Sequence, residues 1–551
     1  MAKLAMKTKA RTNGPLLLTY RLVDLPSAQH RSGLAGLVLM LEFLSRQPGP
    51  RRGIARVARL HAFGADVELD SDGLAELFDV TYRTALGERP EPKIRKDKAK
   101  RDVTPIRSEE SVEIDPKTKK EKAVTRHFYP EYVPDGAFLL ELDPAAVGGK
   151  GPWIKLWRDM IWSIPRGVPA TRGPFEDRAA NLPTTDAAVA WTDLINATDG
   201  KRSVDLSSAL FLGAQECTAE GVPFLDRAAQ KLLLHFSLFI AQVYVPELVN
   251  AEGKGEFSGY AIVFPDIRDL QIFCDELPVW LRERGPEVRG FRPRGAIVDL
   301  PEVGALDIQA GLIARLGQRL QTPALTDLLL GFDVLHLVKE GNNIRLRSWT
   351  RVPIESAAFF DEFRPLRDLW CPLFRRQRMR NLLAGARRWA GFDRLISTTS
   401  ADLTFDDSAF RHDAREFFQL YQPEPQERFM SDDDPTTPAE PEVAALVYQA
   451  ARNYVSRRVE QKHDLSWDKV KEDPKAVEAF RGRRKDVARS AFLAARSRTG
   501  ADFVEFFAAT ICSVPQRSKG GEKGFAALSR ALLQDTDTVR TLTLLALSAN
   551  S

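Results

Sequence analysis

The sequence predicts an α+β protein: a large mixed N-terminal domain over residues 1–429 with an inserted basic loop, then an all-α bundle over 443–551. Three observations carry that reading. β-rich runs such as GPLLLTYRL (14–22) and FDVLHLVKEGNNIRLRSWTRV (332–352) interleave with apolar runs at helical spacing. An acidic, proline-rich linker, SDDDPTTPAEPE, follows Met430 and occupies 430–442 with it. Beyond the linker only helical patterns recur, in VAALVYQAARNYVSRRVEQK, AVEAFRGRRKDVARSAFLAARS, DFVEFFAATICSV and FAALSRALLQ.

The elements follow in order. Residues 14–22 read as an opening strand, and Pro26 sits near the start of a helix reaching about Phe43. Leu34, Leu37, Val38 and Leu41 have helical spacing within a run apolar on most faces, so this helix is buried on nearly all sides. QPGPRRG (47–53) ends it, because proline and glycine cannot continue it. A second helix covers about 72–82. Residues 88–126 hold hardly any large apolar side chain, cannot bury a face, and read as a flexible basic loop; its IDPKTKKEKA part resembles a long hairpin. Residues 153–178 read as an amphipathic helix and a Pro/Gly-punctuated loop, and the latter half of 206–246 as a buried helix. A strand, turn and helix fit 259–284, and 332–352 reads as a hairpin turning at GNN.

Composition narrows the function. With 551 residues, 44% hydrophobic and 28% charged, the chain is of the ordinary globular class. Its net charge of +4 is too small to name a partner, so any polyanion surface must come from local segregation. Cys217, Cys274, Cys371 and Cys512 lie far apart without a CxxC pair, which argues against a zinc ribbon and suits a reducing compartment. MAKLAMKTKARTNG lacks an apolar signal core, and the 34–41 run is too short to span a bilayer, so the expected location is cytoplasmic.

Reactive-looking residues do not assemble into known chemistry. Asp24 and His30 flank a helix start, where capping and local hydrogen bonding account for them. His412-Asp413 and His463-Asp464 are the dipeptides a metal-dependent phosphohydrolase would need, but both sit in polar helical text. GGKG (148–151) lacks the spacing of a phosphate loop, and neither a GxSxG elbow nor an HExxH helix occurs. The expectation is a non-enzyme with no catalytic residue, metal or cofactor.

Basic clusters are what the chain offers. Lys93, Arg95, Lys96, Lys98, Lys100 and Arg101 crowd one stretch, where they can follow a phosphate backbone and release counterions. RRQRMRNLLAGARR (375–388) carries six arginines; on a helix Arg376, Arg380 and Arg387 share a face, with Leu382, Leu383 and Ala386 inward. A third cluster comprises Arg481, Arg483, Arg484, Lys485, Arg489, Arg496 and Arg498. The GNNIRLR turn adds Asn342, Asn343, Arg345 and Arg347, types suited to base edges, although a turn alone accounts for its Gly and Asn. Three clusters on a nearly neutral chain favour a polyanion partner.

TYRLVDLPSAQHRSGLAGLVLML, WRDMIWSIPRGVPATRGPFE, LGAQECTAEGVPFLD with LLLHFSLFIAQVYVP, and HLVKEGNNIRL, in that order through about 15–350, resemble the large subunit of type I CRISPR Cascade in its myxobacterial branch. The resemblance implies a non-catalytic subunit working with guide-RNA-containing backbone subunits. It implies recognition of a protospacer-adjacent motif in target duplex DNA, support of the displaced single strand, and recruitment of a helicase-nuclease in trans. No membrane partner is implied. In that setting Arg166 and Arg172, in IPRGVPATRG, could approach a phosphate, and the C-terminal bundle resembles a small subunit. An internal start at Met430 would yield that bundle alone. Two alternatives stand beside this reading: a stand-alone nucleic-acid-binding developmental regulator, and a nuclease using the His-Asp dipeptides.

Overall fold

The computed structural model describes residues 14–96, 100–114, 121–134, 141, 172–198, 203–206, 210–212, 224–250, 252–284, 294–317, 324–340, 343–421, 440–512 and 521–551. It is mixed helix and sheet, with a helical C-terminal region, as the sequence predicts. The chain divides into two compact units: Met1–Pro246 with Phe257–Glu355, and Glu247–Glu256 with Ser356–Ser551.

The first unit opens with β1 (Leu16–Arg21), which leads to α1 (Ala28–Arg46) and the hairpin of β2 (Ala55–His61) and β3 (Gly64–Leu69). The strands pair antiparallel in the order β1-β3-β2. Tyr20, Ala65, Val67 and Leu69 are buried, while the Arg56–Glu68 pair at 2.6 Å lies on the more open side. Alternation of this kind is what one packed face imposes on a sheet. α1 is buried along nearly its whole length, as expected. Its small residues set the packing distance: a Cβ at Gly33 would collide with the Leu233 carbonyl, and one at Gly36 with the Phe236 carbonyl.

α2 (Ser71–Thr81), capped by Asp70 accepting from the Gly73 N–H, precedes β4 (Thr84–Glu91), β5 (Arg107–Ile114) and β6 (Glu121–Pro134). These three strands form an antiparallel sheet in the order β4-β6-β5. Residues 88–91, 107–114 and 121–126 of the stretch read as a flexible loop are therefore strand. Burial was the wrong criterion there: cross-strand pairing and polar contacts hold this sheet. Arg107 stacks 3.8 Å from the Phe128 ring centroid and bonds Glu88 at 2.8 Å.

α3 (Arg172–Ala179), α4 (Thr185–Thr198), β7 (Ser203–Asp205), β8 (Leu225–Arg227) and α5 (Ala228–Leu234) lead to the central sheet. The helix expected through 246 stops early. Gln242, Val243, Tyr244 and Val245 instead begin β9 (Gln242–Val249), where aromatic and β-branched side chains suit a buried strand. With β9 go β10 (Gly255–Phe257), β11 (Tyr260–Ile267), β12 (Ile297–Val298), β13 (Leu329–Glu340) and β14 (Asn343–Val352), in the order β10-β9-β11-β13-β14 with β12 on β9. Every residue of β11 is buried, and α1 packs on it. The expected strand–helix reading of 259–284 matches β11 and α6 (Leu270–Glu283); α7 (Val303–Leu316) follows before β13.

The second unit is helical: α8 (Ala357–Arg367), α9 (Pro372–Leu383), α10 (Phe392–Thr398), α11 (Ser408–Gln419), α12 (Glu440–His463), α13 (Pro474–Arg496), α14 (Gly500–Phe506), α15 (Gly521–Gln534) and α16 (Thr536–Ala549). It begins well ahead of the expected linker at 430–442. Phe374, Phe392, Phe410 and Phe417 share one core with Val447, Phe492, Phe503 and Leu544. No helix among the described residues is long and apolar enough to cross a membrane.

Candidate nucleic-acid interface

A small ribbon rises between β4 and β5. Lys96 and Asp102 form an antiparallel bridge, and the Val103 N–H donates to the Arg95 carbonyl at 2.8 Å. The Arg95 N–H donates to the hydroxyl of buried Tyr129 at 2.7 Å, which fastens the ribbon to the sheet beneath. Lys100 has left-handed backbone, with φ of 62°. Lys93, Arg95, Lys96, Lys100 and Arg101 are all exposed. Glu91 lies 3.6 Å from Arg95, and Asp102 is 4.0 Å from Lys96. Lys98 lies outside the described residues.

The second predicted site is the β13–β14 hairpin. Asn343 opens β14 opposite Glu340, and Asn342 lies outside the described residues. Arg345 and Arg347 are exposed but both lean on Glu340, at 3.3 and 3.7 Å. Exposed and half-buried residues alternate from Arg345 to Arg351, which brings out Trp349, a residue the sequence reading passed over. Arg351 is not available to a ligand in the same way. It bonds Asp333 at 3.1 Å and, with Arg31, brackets the buried carboxylate of Asp266.

The arginine helix differs from expectation. α9 stops at Leu383, so Ala386 is exposed, Arg387 lies beyond the helix, and Leu382 and Leu383 are only half-buried. The inward residues are Phe374, Arg378, Met379 and Asn381. Arg380 is exposed, Arg376 is half-buried, and Arg387 pairs with Asp535 at 2.8 Å. In the third cluster three guanidiniums serve the fold. Arg496 donates to the Thr399 carbonyl at 2.7 Å, Arg484 to the Asn550 carbonyl at 3.1 Å, and Arg489 to Asp406 at 2.9 Å. Arg172 is the first residue of α3, and Arg166 lies outside the described residues.

The reactive-looking residues also have structural partners. Ser27, not Asp24, caps α1, its hydroxyl accepting from the His30 N–H at 3.3 Å. The buried His30 ring sits 2.7 Å from Ser27 Oγ and 2.8 Å from Asp226 Oδ2, so it has the local partner expected and a second one distant in sequence. Asp24 is exposed, and its carbonyl accepts from Gln230 at 3.0 Å. His412 stacks on Trp370 with centroids 3.8 Å apart. Fully buried Asp413 accepts from the N–H groups of Trp370 and Cys371 at 3.1 and 2.7 Å. Asp464 pairs with Lys469 at 2.6 Å. Among the described residues no group of three or more His, Cys, Asp or Glu could hold a metal.

Two family models match the chain in order: Type I-B CRISPR Cas8b N-terminal domain over residues 54–322, and Type I-B CRISPR Cas8b C-terminal domain over 329–550. Together they define the class, a large subunit of a type I CRISPR effector complex. The chain belongs to the Cas8b family of type I-B systems. No curated protein matches it.

Proposed function

We propose that this chain is the DNA-gripping large subunit of a guide-RNA-directed complex, of the myxobacterial-type branch suggested by the four segments quoted above. It joins backbone subunits carrying the guide RNA in the cytoplasm. It recognises the short motif flanking the target in duplex DNA and helps open the duplex. It also holds the displaced strand and offers a surface to a separate helicase-nuclease. Its role is binding, not catalysis.

The observation that carries this reading is the ribbon at 93–101. Exposed Lys93, Lys96 and Lys100 gather on one segment that the Lys96–Asp102 bridge and the Arg95–Tyr129 bond tie to the β4-β6-β5 sheet. Such a device follows a phosphate backbone and releases counterions, while guide pairing reads sequence. Arg345, Arg347 and Trp349 are a second supporting surface, joining guanidinium and indole chemistry suited to backbone and base. The test is binding of reconstituted complex, with and without this chain, to duplexes whose flanking motif is randomised. Motif preference and tight binding should both disappear without the chain. Preference that persists would place motif reading elsewhere.

A further inference from the structure

The C-terminal unit holds a cleft of about 420 Å³ lined by the end of α9, the segment after it, and Tyr421 beyond α11. At its wall lies Arg378, only 3% exposed. Its Nε has no hydrogen-bond partner, and the Glu362 carboxylate is 3.6 Å from Nη2, beyond good hydrogen-bond length. Burial drags the guanidinium pKa down to about 10, the mark of a cation short of compensation. Glu362 gives its close bond elsewhere, accepting from Arg388 at 2.7 Å. Arg387 and Arg388 stand half-exposed on the same lining, so cation outweighs anion within it.

The remaining lining joins Leu382, Gly385 and Ala386 with Asn381 and the rings of Trp389 and Tyr421, and it is held in place. Asn381 donates to the carbonyls of Arg388 and Ala390, each at 2.9 Å, which ties the segment after α9 to the helix. The Trp389 indole donates to Thr538 at 3.3 Å, and its ring meets Tyr421 edge-on at 6.2 Å. A cleft of this size suits a small molecule, and guanidiniums beside aromatic rings suit one that is both anionic and planar. We propose that the cleft binds a single nucleoside monophosphate unit, with its phosphate on Arg378 and Arg388 and its base against Tyr421 and Leu382. That unit is either a free nucleotide or one nucleotide within a single strand. The single-strand source rests on the proposed holding of a displaced strand, whereas the free nucleotide does not depend on that reading.

Calorimetry on the full chain tests this, with AMP, dTMP, thymidine, inorganic phosphate and a ten-residue oligothymidylate as probes. Arg378→Met removes a buried contact with the Phe417 ring, so two milder variants carry the test: Arg388→Gln, and Ala386→Glu at the exposed rim. A mononucleotide should bind at least tenfold tighter than phosphate or thymidine. Each variant should lose about tenfold of that affinity while keeping the wild-type melting temperature. Oligothymidylate that binds and displaces the mononucleotide identifies the strand as the source; binding by the free nucleotide alone identifies the other. Phosphate binding as tightly as nucleotide, no binding by any probe, or variants that bind unchanged would each overturn the assignment. Motif binding by the first unit stands or falls separately.

Discussion

Asp413 illustrates how a residue suited to catalysis serves the fold. A carboxylate next to histidine reads as a metal ligand in one dimension, yet in space both of its oxygens accept N–H groups at the start of α9. Those donors have no intrahelical partners, so Asp413→Ala leaves them unsatisfied and should cost ~2–3 kcal/mol in denaturant unfolding. A nuclease reading predicts instead a stable protein that loses chelator-sensitive cleavage. His235 makes a separate prediction. Burial, with Lys231 nearby, holds its imidazole near 4 against an ordinary 6.5. The unfolded chain therefore takes up the proton first as pH falls below 6.5, and stability drops until about 4, by ~3 kcal/mol at most. His235→Gln should flatten that stretch of the stability–pH curve; an unchanged slope would assign it to other groups.

At the scale of elements, legibility tracked the physical signal available. α1 was readable because a helix apolar on most faces has one solution, burial on nearly all sides. The β13–β14 hairpin was readable because a Gly-Asn-Asn run separates two β-rich runs in the sequence, and those runs pair antiparallel. The β4-β6-β5 sheet was not, since its contacts are cross-strand pairs such as Arg107 with Phe128 and Glu88, which linear text separates. The arginine clusters were visible as charge, but whether Arg496 faces a phosphate or the Thr399 carbonyl is set by distant packing. α1 makes the firm prediction at this scale. Gly33→Val or Gly36→Val drives a side chain into the backbone at Leu233 or Phe236 and should cost about 3 kcal/mol or more, seen as insoluble expression or a depressed Tm. Soluble variants of unchanged Tm would mean that this contact is looser than described.

At the scale of the whole chain, the helical unit is one core drawn from both sides of the expected linker. A fragment beginning at Met430 would lack Phe374, Trp389, Phe392, Phe410 and Phe417, and would expose the apolar surface they cover. Residues 430–551 made alone should aggregate or show weak protection from hydrogen exchange, whereas 356–551 should fold cooperatively. A well-folded 430–551 fragment would favour a separable small subunit. The central claim, that the basic ribbon grips DNA, is best tested by salt dependence. Duplex affinity of the complex is followed from low to high salt with wild-type chain and with Lys93, Lys96, Lys100 and Arg101 all changed to alanine. If these four side chains meet phosphates, the slope of log affinity against log salt should become shallower by about 3.6, and affinity at low salt should fall. The same slope and affinity in both complexes would contradict the account.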